Sequence, residues 1–303
     1  VNFTFTPATK DQAKARIALT GPAGSGKTYT ALTIATTLGG RVAVIDTERG
    51  SASKYADGFT FDKLDLQTFE PLTLVRALAA AGAAGYDVVV VDSLSHFWSG
   101  TGGMLEQVDQ AAKRSYGGNS FGGWKEVRPQ ERQMVDALVS YPGHVIVTMR
   151  SKTEYVIEED QRGRKVPRKV GLKPDQREGI EYEFDIVGDL DHENTLVVTK
   201  SRATPLAGRV IPKPGPELAE EIAAWLGDGT PAPDANTYRA RALTPDVTRD
   251  ELTALAGEVR SRGLLGAAVV DEHGEATTLE DLIRRRWKEA APKGKQQDGG
   301  EAA

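Results

Sequence analysis

One stretch of this chain constrains its fold more than any other: Gly21-Pro22-Ala23-Gly24-Ser25-Gly26-Lys27-Thr28 satisfies G-x-x-x-x-G-K-[ST] at every specified position. A short apolar run, Arg16–Thr20, stands directly before it, and a helix-compatible stretch, Lys27–Leu38, follows. That context makes it a phosphate-binding strand–loop–helix. Glycines let backbone N–H groups turn inward around phosphate oxygens, and the helix N-terminus adds partial positive charge. Lys27 is placed to reach the β- and γ-phosphates, and Thr28 to ligate Mg²⁺. Gly21, Pro22, Ala23, Gly24, Ser25, Gly26, Lys27 and Thr28 are therefore the expected nucleotide-binding residues.

Further apolar runs at Arg41–Asp46, Asp87–Asp92, His144–Met149, Phe184–Val187 and Thr195–Thr199 read as buried strands. Helical patterns at Pro71–Ala84, Met104–Arg114, Glu131–Tyr141 and Glu217–Leu226 lie between or after them. Strands alternating with helices imply an α/β fold around a mostly parallel sheet. The organisation expected is an arm over 1–13, an ATPase core over 14–226, a linker over 227–235, a small helical domain over 236–291 and a disordered tail over 292–303. Helices are expected at Asp250–Arg262 and Thr278–Ala290, with no strand after the linker.

A chain of 303 residues without cysteine needs no disulfide, and it has no thiolate metal site or cysteine nucleophile. Its four histidines are scattered, no apolar run is long enough for a membrane span, and no basic n-region opens the sequence. The expected setting is cytoplasmic, in a bacterial host if the gene is phage-borne, with no membrane partner.

Val88–Val91 ends in Asp92, the acid expected to hold the Mg²⁺ shell. Asp46–Gly50 is one residue too long for a D-x-x-G switch, and Thr199-Lys200-Ser201-Arg202 lacks the aspartate of an N/T-K-x-D base reader. ATP is therefore expected rather than GTP. Ser93 follows Asp92, so the acid that polarises water comes from elsewhere, and Glu48 at the end of the Arg41–Asp46 strand is the candidate.

On the loop Gly21–Thr28, Ile45-Asp46-Thr47-Glu48, Val91-Asp92-Ser93 and Lys200-Ser201-Arg202, the chain resembles the RecA-like ATPases, over roughly residues 14–226. Within them it is most similar to phage RecA-like proteins of recombination and single-strand annealing. The resemblance implies that Glu48 activates water and that Tyr55, seven residues on, stacks on adenine. It also implies that Lys200 and Arg202 reach the ATP site of the next subunit in a filament or ring. An Asn-Gln sensor pair is replaced here by Val147-Thr148-Met149-Arg150, so Thr148 or Arg150 is expected to sense the γ-phosphate.

Two segments are expected to meet single-stranded DNA. The first, Lys113–Lys125, reads as a glycine-rich loop with Lys113, Arg114 and the aromatics Tyr116, Phe121 and Trp124. The second is a hairpin about Asp160–Gly163, where Gln161–Lys173 holds six basic residues and no acid, among them Arg162, Arg164, Lys165, Arg168 and Lys169. Residues 236–303 carry 11 basic and 12 acidic side chains and offer no electrostatic clue, leaving contact with a single-strand-binding protein open. Phe5-Thr6-Pro7-Ala8 matches an inter-protomer tether pattern but reads more simply as an arm. The expected function is ATP-dependent, oligomeric single-stranded DNA binding during recombination or annealing. The alternatives are an ATP-driven assembly switch on a protein partner and a ring-forming DNA translocase.

Overall fold

The structure is a computed structural model and describes residues 14–114, 120–159, 165–227 and 233–290, with backbone alone over 153–172. The arm, the tail and residues Tyr116, Arg162 and Arg164 lie outside the described residues. In chain order the elements are β1 (Arg16–Gly21), α1 (Lys27–Leu38), β2 (Val42–Asp46), β3 (Asp62–Asp65), α2 (Pro71–Ala83), β4 (Val88–Asp92), α3 (His96–Ser99), α4 (Met104–Arg114) and α5 (Ser120–Val139). Then come β5 (His144–Glu159), β6 (Lys165–Pro174), β7 (Ile186–Leu190), β8 (Thr195–Ser201), β9 (Val210–Pro212) and α6 (Pro216–Gly227). The chain closes with α7 (Ala235–Ala242), α8 (Arg249–Ser261), β10 (Ala268–Val270), β11 (Ala276–Thr278) and α9 (Leu279–Glu289).

The main sheet has the order β3-β2-β4-β5-β1-β7-β8-β9, parallel from β3 to β7 and antiparallel over its last two pairings. Helices cover both faces, as the apolar runs require. Alternate residues of one strand serve opposite faces: Val88 and Val90 join α1 and α6 in one core layer, Val89 and Val91 join α2 and α5 in the other. The mixed α/β class expected from the sequence is the one observed.

β5 outruns the sheet. Its second half pairs antiparallel with β6 from Ser151↔Pro174 to Glu159↔Lys165, a two-stranded hairpin on the sheet's upper edge that places Lys165, Arg168 and Lys169 on β6. Three expectations need correction. The segment 120–125 is not loop but the first turns of α5, and the described helix begins eleven residues before the apolar periodicity at Glu131 suggests. The C-terminal unit is not purely helical: β10 and β11 form an antiparallel pair beside α7, α8 and α9, around its own core of Tyr238, Leu252, Leu255, Val269 and Leu282. It also rests on the main core, with Ala268 packed on the α2/α5 layer and Asn236 Nδ2 donating to Gly82 O at 3.0 Å. Thirdly, α7 already begins at Ala235, inside the span read as linker. No helix among the described residues is long and apolar enough to cross a membrane.

At the lower end of the sheet, the Arg16 guanidinium is buried and donates to the carbonyls of Val139 (2.8 Å), Gly143 (2.8 Å) and Tyr141. Nearby, His144 Nδ1 accepts the Ala15 N–H at 3.0 Å. Burial, with the charges of Lys14 and Arg16, lowers the imidazole to about 4. Between pH 6.5 and about 4 the unfolded chain therefore binds the proton that the folded chain refuses, so stability falls as pH falls through that window. His144→Gln should remove about 2–3 kcal/mol of this acid sensitivity, checked by urea unfolding at pH 7 and pH 4.5.

Candidate active site

The phosphate loop is shaped by two left-handed glycines, Gly24 (φ 78) and Gly26 (φ 82), and Gly26 opens α1. A side chain at either would be strained. Ser25 Oγ is buried inside the loop with no hydrogen-bond partner among the described residues. Lys27 Nζ donates to the carbonyls of Gly21 (2.9 Å) and Pro22 (2.8 Å), folded onto its own loop. Burial lowers this ammonium, with Asp92 and Glu48 pulling the other way.

Behind the loop, β4 delivers Asp92 between two threonines. Thr28 donates to Asp92 Oδ2 at 2.7 Å, and Thr148 donates to Oδ1. Burial pushes the Asp92 carboxyl up against the pull of these two bonds, so this carboxylate is held in a place that favours a cation beside it. The residues fit a nucleotide with Mg²⁺: an orphaned hydroxyl and inward glycines for phosphate oxygens, and a Thr–Asp pair for the metal. No three His, Asp or Glu side chains converge among the described residues, so such a cation would draw its remaining ligands from phosphate and water.

Glu48 arrives on the adjacent strand end, where its backbone N–H donates to Asp46 Oδ1 at 2.7 Å. Its carboxylate pairs with Arg150 Nε at 2.9 Å. Burial would raise the Glu48 carboxyl, but the bond and charge of Arg150, with His96 and Lys27 behind, outweigh it and hold it below the usual carboxylate range. Of the two expected sensors, Thr148 bonds Asp92 and Arg150 bonds Glu48. The peptide Asp92–Ser93 is cis. Thr47 Oγ1 takes the Ser93 N–H at 2.7 Å and lies 2.6 Å from His96 Nδ1, tying β2 to α3. The hairpin root is fastened to the same hub: Asp175 accepts from Lys152 (2.8 Å) and Ser99 (2.7 Å).

Tyr55 stands 6.0 Å from Tyr29, ring edge to face, and both are partly exposed beside the start of α1. Lys200 and Arg202 stand elsewhere. The Lys200 ammonium donates to the carbonyls of Glu181 (2.9 Å), Tyr182 (2.9 Å) and Phe184 (2.7 Å) of its own chain. Arg202 pairs with Asp185 at 2.6 Å with its side chain 58% exposed. Arg202 N bonds Asp185 O, and Asp185 N bonds Arg16 O, so Arg202 is level with the start of β1. That is about 17 Å along the strand from Gly21, out of reach of the loop in the same chain.

The expected DNA residues separate. Trp124 is half-buried on α5 and its ring lies 5.6 Å from Trp98, in a small cluster with Met104, Val108 and Val127. It packs rather than projects. Arg114 pairs with Glu126 at 2.7 Å, and Lys113 ends α4. The run Arg284–Lys288 is largely neutralised: Arg284 pairs with Glu280 and Asp281, Arg285 with Asp271 and Glu272, and Arg286 with Glu289. The sequence reading stopped at Lys125 and passed over two further cations on the same helix, Arg128 and Arg132. Lys125, Arg128 and Arg132 recur at helical spacing on α5 and have no ion-pair partner among the described residues. With the exposed Phe121 they line one wall of a groove of about 610 Å³, whose other wall is the C-terminal unit at Leu265 and Asp281. The i, i+3, i+7 spacing of those cations was the signal available.

A protein-family model described as AAA domain matches residues 13–209, from just before β1 to just before β9. No curated protein matches the chain.

Proposed function

Because the chain belongs to the AAA-domain family of P-loop NTPases, we propose that it is an ATPase which assembles into oligomers and binds single-stranded DNA in phage-type recombination or annealing. The observation that carries the ATPase reading is the preformed Thr28–Asp92 pair behind the phosphate loop, with Glu48 one strand away. A Mg²⁺ ion held there neutralises charge on the β- and γ-phosphates. Lys27 leaves its carbonyls for phosphate oxygens, Glu48 orients and deprotonates the attacking water, and Arg150 is close enough to answer the γ-phosphate. Arg202 stabilises the developing charge at the next subunit's site, since it is exposed and remote from its own. Lys200 supports that strand end from within its own chain.

Lys125, Arg128 and Arg132 form no salt bridge within 4 Å among the described residues, although Glu131 and Asp136 lie near the two arginines. With the exposed Phe121 and the basic hairpin strand β6 they support the DNA reading, because cations with an exposed ring are what single strands bind. Labelled single-stranded DNA titrated over a range of salt tests it. We expect binding strengthened by ATP, and in the Lys125→Ala/Arg128→Ala/Arg132→Ala variant a slope of log K against log salt shallower by about 2, from about 0.7 per lost phosphate contact. No binding at low salt in either nucleotide state would remove single-stranded DNA as the partner and favour an assembly switch acting on protein.

A further inference from the structure

The tip of the β7–β8 hairpin touches the phosphate loop. A Cβ built on Gly21 would lie 2.6 Å from Leu190 O, and one built on Gly26 would lie 3.0 Å from Asn194 Nδ2. Asn194 itself is left-handed (φ 61), a conformation asparagine adopts more readily than most residues. Its turn is fastened from three sides: Asp191 Oδ1 accepts the N–H groups of Glu193 (3.0 Å) and Thr195 (2.7 Å), and Asn194 O accepts the N–H of Lys213 (2.9 Å). The backbone is thus held, yet the carboxamide it presents makes no hydrogen bond among the described residues.

Gly26 caps α1, and Tyr29 stands in the first turn that follows it. Tyr29 is 52% exposed there, and Tyr55, 36% exposed, meets it ring edge to face from the turn after β2. A nucleotide whose phosphates lie in the loop 21–28 therefore has two fixtures beside the loop: an edge-to-face tyrosine pair and a carboxamide with no hydrogen bond among the described residues.

We propose that Asn194 selects adenine. Its Nδ2–H donates to N7 and its Oδ1 accepts from the N6 amino group, the bidentate pairing that carboxamides make with adenine. Guanine offers two acceptors on the same edge, O6 and N7, so the carboxamide makes one bond there and leaves Oδ1 facing O6. This inference rests on the reading of the loop as an ATP site and adds to it the residue that excludes guanine.

Titration calorimetry with non-hydrolysable ATP and GTP analogues and Mg²⁺ tests it without reference to turnover. The wild-type chain is expected to favour the adenine analogue about tenfold or more, the range one bidentate pair provides. Asn194→Gly keeps the left-handed turn and removes the amide: adenine affinity should fall about tenfold and guanine affinity about threefold or less, so the preference collapses. Asn194→Asp keeps the shape and the N6 acceptor but faces both guanine acceptors with a carboxylate, so the preference should persist or widen. A glycine variant that retains the wild-type preference, or an aspartate variant that loses it, overturns the inference. Equal binding of both analogues by the wild type overturns the ATP reading itself, while leaving a nucleotide loop that either analogue fills.

Discussion

The Glu48→Gln protein is expected to bind ATP as tightly as the wild type and to hydrolyse it about 10²–10⁴ times more slowly, the contribution of one positioned general base. The substitution preserves the side-chain shape and its acceptor toward Arg150, so the 2.9 Å contact seen in the structure becomes a neutral-to-charged hydrogen bond. Lys27, Thr28 and Asp92 are untouched, which is why binding should survive. Single-turnover quenching with labelled ATP separates the two steps. Normal turnover in this variant would assign the water to another group, with Asp46, held between the N–H groups of Glu48 and Ala52, the nearest carboxylate on the same strand. The Glu48–Arg150 contact also means that the resting site keeps its base tied to a cation, so Arg150→Ala offers a sharp control on whether that tie restrains hydrolysis.

Arg202→Ala is expected to lose about 10³–10⁵ in turnover, the range measured where an arginine supplied from outside stabilises phosphoryl transfer, while binding ATP normally. The same activity should be missing from Lys27→Ala for the opposite reason, because its own loop cannot hold the phosphates. Mixing the two proteins restores a composite site, one subunit giving an intact loop and its neighbour an intact Arg202. Recovered ATPase in the mixture, read against each variant alone, is the expected result. Co-assembled subunits that stay inactive would confine Arg202 to its pair with Asp185. The geometry makes the experiment decisive, since no rotamer of Arg202 spans the distance from the foot of β1 to the loop at its head.

The parts of the molecule legible in its sequence are those where one segment carries the whole signal. Val88–Asp92 is buried at every position and announces both a strand and its terminal acid. The edge strand Asp62–Asp65 is exposed at every position and charged at three of four, and only its pairing with β2 makes it a strand. β10 and β11 are three residues each, too short for alternation to be visible, and the C-terminal unit consequently looks all-helical. Within the site, Gly21–Thr28 is local and was readable. The Glu48–Arg150 pair joins residues 102 apart, and Asn194 reaches Gly26 through a turn whose composition is that of any surface loop. Trp124 misled for a related reason: Gly117, Gly118, Gly122 and Gly123 before it suggest a mobile loop, whereas Gly123 lies against the Val108 carbonyl so closely that glycine is what lets α5 pack on α4.

The central strand of the molecule lies between β5 and β7, with Arg16 paired to Val145 and Ile17 to Ile186. The segment that carries the nucleotide loop therefore leaves the ribosome well ahead of its two hydrogen-bonded neighbours, which follow only after some 130 and 170 further residues have been added. Loops that long delay closure, and a nascent chain stopped before β7 lacks Asn194 and the Leu190 wall against Gly21 as well. Competence to hold a nucleotide therefore waits for strands far along the chain. A partly made chain holds the loop without the walls that shape it.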